Sequence, residues 1–142
     1  MINKWTVEIP NWHPIRTNEI VGADWRSVYK RKKEQHFLVA MSFWKAAVPP
    51  ADRTIDNYPN RTKRRVTLTI VLGYRQRGGD PDAYWKVLLD SMVKCHVLVD
   101  DRKEWVELAP VQYERSEKPA TIIVLEDLEP VETKRSGKCI KR

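Results

Sequence analysis

The sequence predicts an α+β fold: a single domain in which a mixed β-sheet of about four or five strands carries two main helices. Three observations lead there. The chain has 142 residues and 42% hydrophobic content, enough for one core and not two. Two stretches, 24–48 and 80–95, place apolar residues at helical spacing. Four others, at 4–9, 66–74, 104–113 and 121–126, alternate or run β-branched between turn residues.

Lys4 to Ile9 sets Trp5, Val7 and Ile9 against polar neighbours, a strand that ends at Pro10. Residues 11–22 are polar and contain Pro14, so a loop follows. His13 stands alone there and reads as a surface or packing residue. Asp24 is a suitable N-cap for a long helix to about Val48, along which Trp25, Tyr29, Ala40 and Trp44 recur. Its run Lys30-Arg31-Lys32-Lys33 is either a solvated face or a phosphate contact, with Lys30 and Lys32 the candidates for DNA binding. Pro49-Pro50 closes that helix. The polar segment 51–64 carries Arg53, Arg61, Lys63 and Arg64, which predicts a loop or mobile arm whose Lys63 and Arg64 meet DNA.

Val66 to Tyr74 is apolar or β-branched on both faces, as a central strand requires. It delivers Arg75 and Arg77 to the next turn, where guanidinium groups grip phosphate in bidentate fashion. Gly78-Gly79 supplies that turn, and Asp80-Pro81 reads as an N-cap followed by proline at the first helical position. The helix runs to about Cys95 with Trp85, Leu88, Leu89 and Met92 as its core stripe, leaving Asp82, Lys86 and Asp90 on a neighbouring one. Val97 to Val99 returns to the core and presents Asp100 and Asp101. Glu104–Tyr113 and Thr121–Glu126 are then two strands, expected to pair as a hairpin across Arg115–Pro119. Residues 127–142 mix acids, bases, Pro130 and Gly137, which describes a loose tail whose Lys138, Lys141 and Arg142 could touch DNA.

Gly78 to Asp101 holds five carboxylates and Lys86 in a chain whose formal charge is +7. Like charges 4 Å apart repel by about 1 kcal/mol in water and about 4 near a protein surface, so converging acids require an offsetting cation. Mg²⁺ is the usual one, because it takes one or two carboxylates and shares its other positions with water and phosphate. Asp82 and Asp90 are about 12 Å apart along a helix and cannot share an ion. Asp80 and Asp82 can, with the Asp100-Asp101 pair as the candidate to fold back on them. Separate cap, salt bridge and turn roles for these acids are the alternative. Net positive charge suits nucleic acid, and the longest apolar run, Phe37–Met41, is too short to span a membrane. The first residues lack the charged start and apolar centre of a signal peptide. Cys95 and Cys139 show no metal spacing and are not expected to bridge, so a cytoplasmic setting is expected.

The pattern Asp80-x-Asp82, Lys86, Asp90 and Asp100-Asp101, preceded by a basic strand and followed by Glu104-Trp105-Val106, resembles the RusA-type crossover-junction endodeoxyribonucleases, which resolve four-way DNA junctions. The resemblance covers about Arg65 to Glu126. It implies a homodimeric nuclease of bacterial or phage origin, dependent on Mg²⁺ with Mn²⁺ as a substitute, acting in DNA recombination and repair. Carried across, Asp80, Asp82 and Asp101 hold metal and Lys86 is the essential lysine, with Asp82 also catalytic and Asp90 and Asp100 as further catalytic candidates. On this reading residues 1–126 form the nuclease domain, with 1–64 divergent and 65–126 the catalytic core, and 127–142 the tail. Two positions depart from the family pattern: Ala83 replaces an asparagine, and Gly79 stands where a basic residue is common. The rival readings are a junction-binding protein without nuclease activity and an Asp-x-Asp metal-dependent transferase acting on a nucleotide.

Overall fold

Apolar residues at alternate positions of three strands meet under two helices. The computed structural model describes residues 3–53 and 60–128. Its strands are β1 (Lys4–Pro10), β2 (Asp52–Arg53), β3 (Asn60–Arg61), β4 (Arg64–Leu72), β5 (Val106–Leu108), β6 (Gln112–Arg115) and β7 (Ala120–Asp127), and its helices are α1 (Trp25–Lys45) and α2 (Trp85–Lys94). Short 3-10 turns occupy Thr17–Glu19 and Pro81–Tyr84. The main sheet runs β1-β7-β4-β5, with β6 also on β4, and the architecture is α+β as expected.

β4 is the central strand. Val66, Leu68, Ile70 and Leu72 enter the core with Val7 and Ile9 of β1, Ile123 and Leu125 of β7, Val39 and Phe43 of α1, and Leu88, Leu89 and Met92 of α2. Each such large side chain, fully buried, contributes roughly 1.5–3 kcal/mol. β7 pairs antiparallel with both β1 and β4, whereas β5 and β6 lie parallel to β4 on its other edge.

That arrangement corrects the expected hairpin. β6 and β7 straddle β4 and do not pair with each other, because a strand apolar on both faces takes a partner along each edge. The connection crosses the end of β4, where Ser116 N donates to Leu72 O at 2.9 Å. The expected strand 104–113 is broken into β5 and β6 around Ala109-Pro110, where proline has no N–H for the ladder.

Both helices end on the same device. Ala47 and His96 adopt φ of 58° and 69°, and Val48 N and Val97 N reach back to Phe43 O and Met92 O. This is the Schellman closure, so α1 stops at Lys45 ahead of Pro49-Pro50 and three residues short of the expected end. Between the helices lies a polar seam: Gln35 Nε2 donates to Ser91 Oγ, His36 Nδ1 bonds the same oxygen at 2.6 Å, and Ser91 Oγ donates to Val87 O. Asp90 sits 3.4 Å from His36 Nε2 and forms no ion pair with Lys86 or Lys94.

Burial lowers the His36 pKa against the opposing pull of Asp90. The unfolded chain therefore takes up a proton first as pH falls, and stability is expected to decline below pH about 6.5. Urea unfolding midpoints at pH 7.5 and 5.5 test this: the parent should lose more than His36→Gln, and equal losses would exclude His36 as the cause.

Two further expectations change. The segment 51–64 is not simply a loop, since Asp52 and Arg53 pair with Arg61 and Asn60; residues 54–59 lie outside the described residues. The domain does not end at Glu126, because Asp127 completes β7 and Leu128 N donates to Lys63 O. Cys139, Lys138, Lys141 and Arg142 lie outside the described residues. Among those described, no helix is long and apolar enough to cross a membrane.

Candidate active site

The acid turn is held from three sides. After β4, Gly73 N donates to Gln76 Oε1, and Arg115 Nη1 donates to the carbonyls of Gly73 and Gln76. A Cβ on Gly78 would lie 2.6 Å from the Tyr113 ring, which only glycine avoids. Tyr113 Oη donates to Gly79 O at 2.6 Å and Gly79 N donates to Tyr84 Oη at 3.3 Å. Burial, with Tyr84 and Asp80 nearby, pushes the Tyr113 hydroxyl pKa up. Its proton stays on the carbonyl bond.

Beyond this clamp, Asp80 caps the Pro81–Tyr84 turn by accepting from Asp82 N at 3.2 Å. The expected cap and proline are both present, but the first four residues form a tighter 3-10 turn before α2 proper. Asp82 and Lys86 are exposed and their side chains engage no partner among the described residues. One oxygen of Asp80, the Asp82 carboxylate and the Lys86 ammonium are thus uncommitted near the start of one helix.

Asp101 is not brought to them. It borders a hollow with Lys63, Lys103 and Val106–Leu108, and Val106 pairs with Arg64 at the start of β4. Tyr113, which clamps the acid turn, pairs with Ile70. Six residues of strand separate these positions, about 20 Å. α2 runs back along the sheet between the two acid groups, so the three-aspartate site is not assembled within this chain. Among the described residues no three acidic, histidine or cysteine side chains converge. Asp100 lies with Asp101, accepting from Asp101 N at 2.7 Å and Arg102 Nε at 2.8 Å, which hold its carboxyl below the usual range.

The basic candidates divide. Arg75 and Arg77 are exposed on the turn beside the acids. Lys30 and Lys32, two positions apart on α1, point about 200° apart and cannot follow one phosphate track together. Arg64 must be withdrawn as a DNA contact. It is 1% exposed, donates to Asp127 Oδ1 at 2.8 Å and Val97 O at 2.9 Å, and lies 4.9 Å over the Trp5 ring.

Two more arginines border the site, Arg16, which nothing in the sequence marks, and Arg31, from the basic run of α1. Arg16 crosses Gly79, where a Cβ would come 2.9 Å from its guanidinium, and Arg31 joins it through Glu19. Burial works to raise the Glu19 pKa, but the Arg16 backbone N–H and both guanidinium groups outweigh it, so the carboxyl sits below its usual value. His13 is a packing residue at the same place, its Nε2 bonded to Val71 O at 2.7 Å. Nothing in the sequence marks the 13–19 loop for this position, since only the fold brings it against residue 79.

The fold and site define a small α+β domain with an exposed Asp-x-Asp helix start and arginines beside it. No protein-family model matches the chain, and no curated protein matches it.

Proposed function

We propose that this chain is a Mg²⁺-dependent endodeoxyribonuclease that cuts four-way DNA junctions in paired fashion as a homodimer. The observation that carries the reading is the grouping of uncommitted Asp80, Asp82 and Lys86 next to exposed arginines, in a sequence that resembles the junction resolvases. The donor set fits the ion in a reduced form: Mg²⁺ accepts two carboxylates and fills its other positions with water and substrate phosphate. Asp80 and Asp82 would hold it, and it would supply an activated water and charge neutralisation. Lys86 stabilises charge developing on the phosphate, and Arg75 and Arg77 hold the strand.

The test is a synthetic four-way junction labelled on each strand and incubated with Mg²⁺. Paired nicks in opposed strands are expected. Tight binding without nicks would make the chain a junction-binding module, and nucleotide binding without DNA would favour the transferase.

Paired cutting needs two sites at fixed separation, and two-fold pairing is the common solution. α1 offers a surface for it: Trp25, Tyr29, Phe37 and Trp44 are 63–75% exposed and fall within about 120° of its circumference. Trp44→Glu is expected to yield a monomer by sedimentation velocity and to uncouple the two nicks. A dimer that persists would remove this face from the contact.

A further inference from the structure

Beside the acid turn lies a hollow of about 290 Å³ bordered by His13, Arg16, Glu19, Arg31, Arg77 and Tyr84. Glu19 is its brace. The carboxylate accepts from Arg16 Nε at 3.1 Å and Arg31 Nη2 at 2.7 Å, and from Arg16 N at 2.9 Å, so two guanidinium groups are fixed by a single acid. Arg77 forms no hydrogen bond or ion pair among the described residues. Three arginines against one glutamate leave the hollow two positive charges in excess.

We infer that this hollow binds a phosphodiester of the DNA backbone next to the linkage addressed by Asp80 and Asp82. The inference rests on the nuclease reading for the identity of the strand, and the arginine geometry supplies the rest. Guanidinium groups suit phosphate because their planar donors match its oxygens two at a time. Groups already fixed by Glu19 lose little freedom on binding, which favours affinity. Arg16 spans the gap between hollow and acid turn: its guanidinium lies against Gly79, the residue before Asp80. One strand laid across residue 79 would therefore place one phosphate over the aspartates and its neighbour among the arginines. Glu19 is a positioning residue here, and Arg16 and Arg77 are the contacts.

The test uses the full chain without metal, so it does not depend on cutting. Arginine Nε–Hε signals are followed by ¹⁵N NMR during titration with the dinucleotide dTpdT, thymidine 5′-monophosphate or thymidine. Expected are shifts of Arg16 and Arg77 with dTpdT, none with thymidine, and loss of the response in Arg77→Gln. No shift with dTpdT, or a response to the 5′-monophosphate alone, overturns the inference, the latter by making the hollow a terminal-phosphate site. On a junction, Arg16→Gln and Arg77→Gln should each weaken binding about tenfold and lower the salt slope by about 0.9. Unchanged binding and slope in both variants would also overturn it. A chain that shows the dTpdT shifts but never nicks DNA would fail the nuclease reading and keep the phosphate site.

Discussion

Asp82→Asn should slow nicking of a four-way junction by about 10²–10³-fold, while binding and stability stay near the parent's. The loss follows from removing a charged oxygen donor where charge develops, for which single groups commonly supply 10²–10³-fold in rate. Stability should hold within about 0.5 kcal/mol, because the Asp82 side chain engages no partner among the described residues. Asp80→Asn should be similarly slow and still folded, since asparagine caps a helix as well as aspartate. Asp101→Asn, at the far end of β4, should keep activity within about threefold of the parent's by the same logic. Initial rates on a labelled junction, with gel-shift affinities beside them, decide the matter. Equal cutting by Asp82→Asn and the parent would remove the acid turn from catalysis. An inactive Asp101→Asn would contradict a site built within one protomer, and activity regained on mixing it with Asp82→Asn would place Asp101 across a subunit boundary.

Arg64→Met should cost about 3 kcal/mol of stability and lower the melting temperature by about 10 °C. The guanidinium joins Asp127 of β7, the Val97 carbonyl after α2 and the Trp5 ring of β1. Removing it strands the Asp127 carboxylate, whose side chain is only 20% exposed, and the buried Val97 carbonyl. Methionine restores volume but no donor. Calorimetry on Arg64→Met and on the double variant with Asp127→Leu would separate the effects, because the double variant removes the stranded charge and should lose less. If Arg64→Met kept its melting temperature and instead weakened DNA binding, the structural role assigned to Arg64 would be wrong.

The contrast between these residues shows how far sequence reasoning reaches. Asp80 and Asp82 were legible because a cap, a proline and an i, i+4 lysine act within one helical turn, where neighbours in sequence are neighbours in space. Arg64 was misread because it stands in a basic stretch, and burial of a charge depends on partners supplied by β1, β7 and the loop after α2. Arg16 and Tyr113 carried no local signal, although they frame the acid turn.

By itself, the sequence determined the α+β class, both helices, the central place of β4 and the capped acidic turn. Each follows from periodicity or capping over a few residues. Tertiary structure alone decided that β6 and β7 flank β4 on opposite edges, that Arg64 is interior, that Arg16 and Arg77 share a hollow, and that Asp101 lies toward the other end of β4 from the acid turn. Those outcomes depend on strand order and on the direction in which α2 returns, and the packing of the whole core selects both.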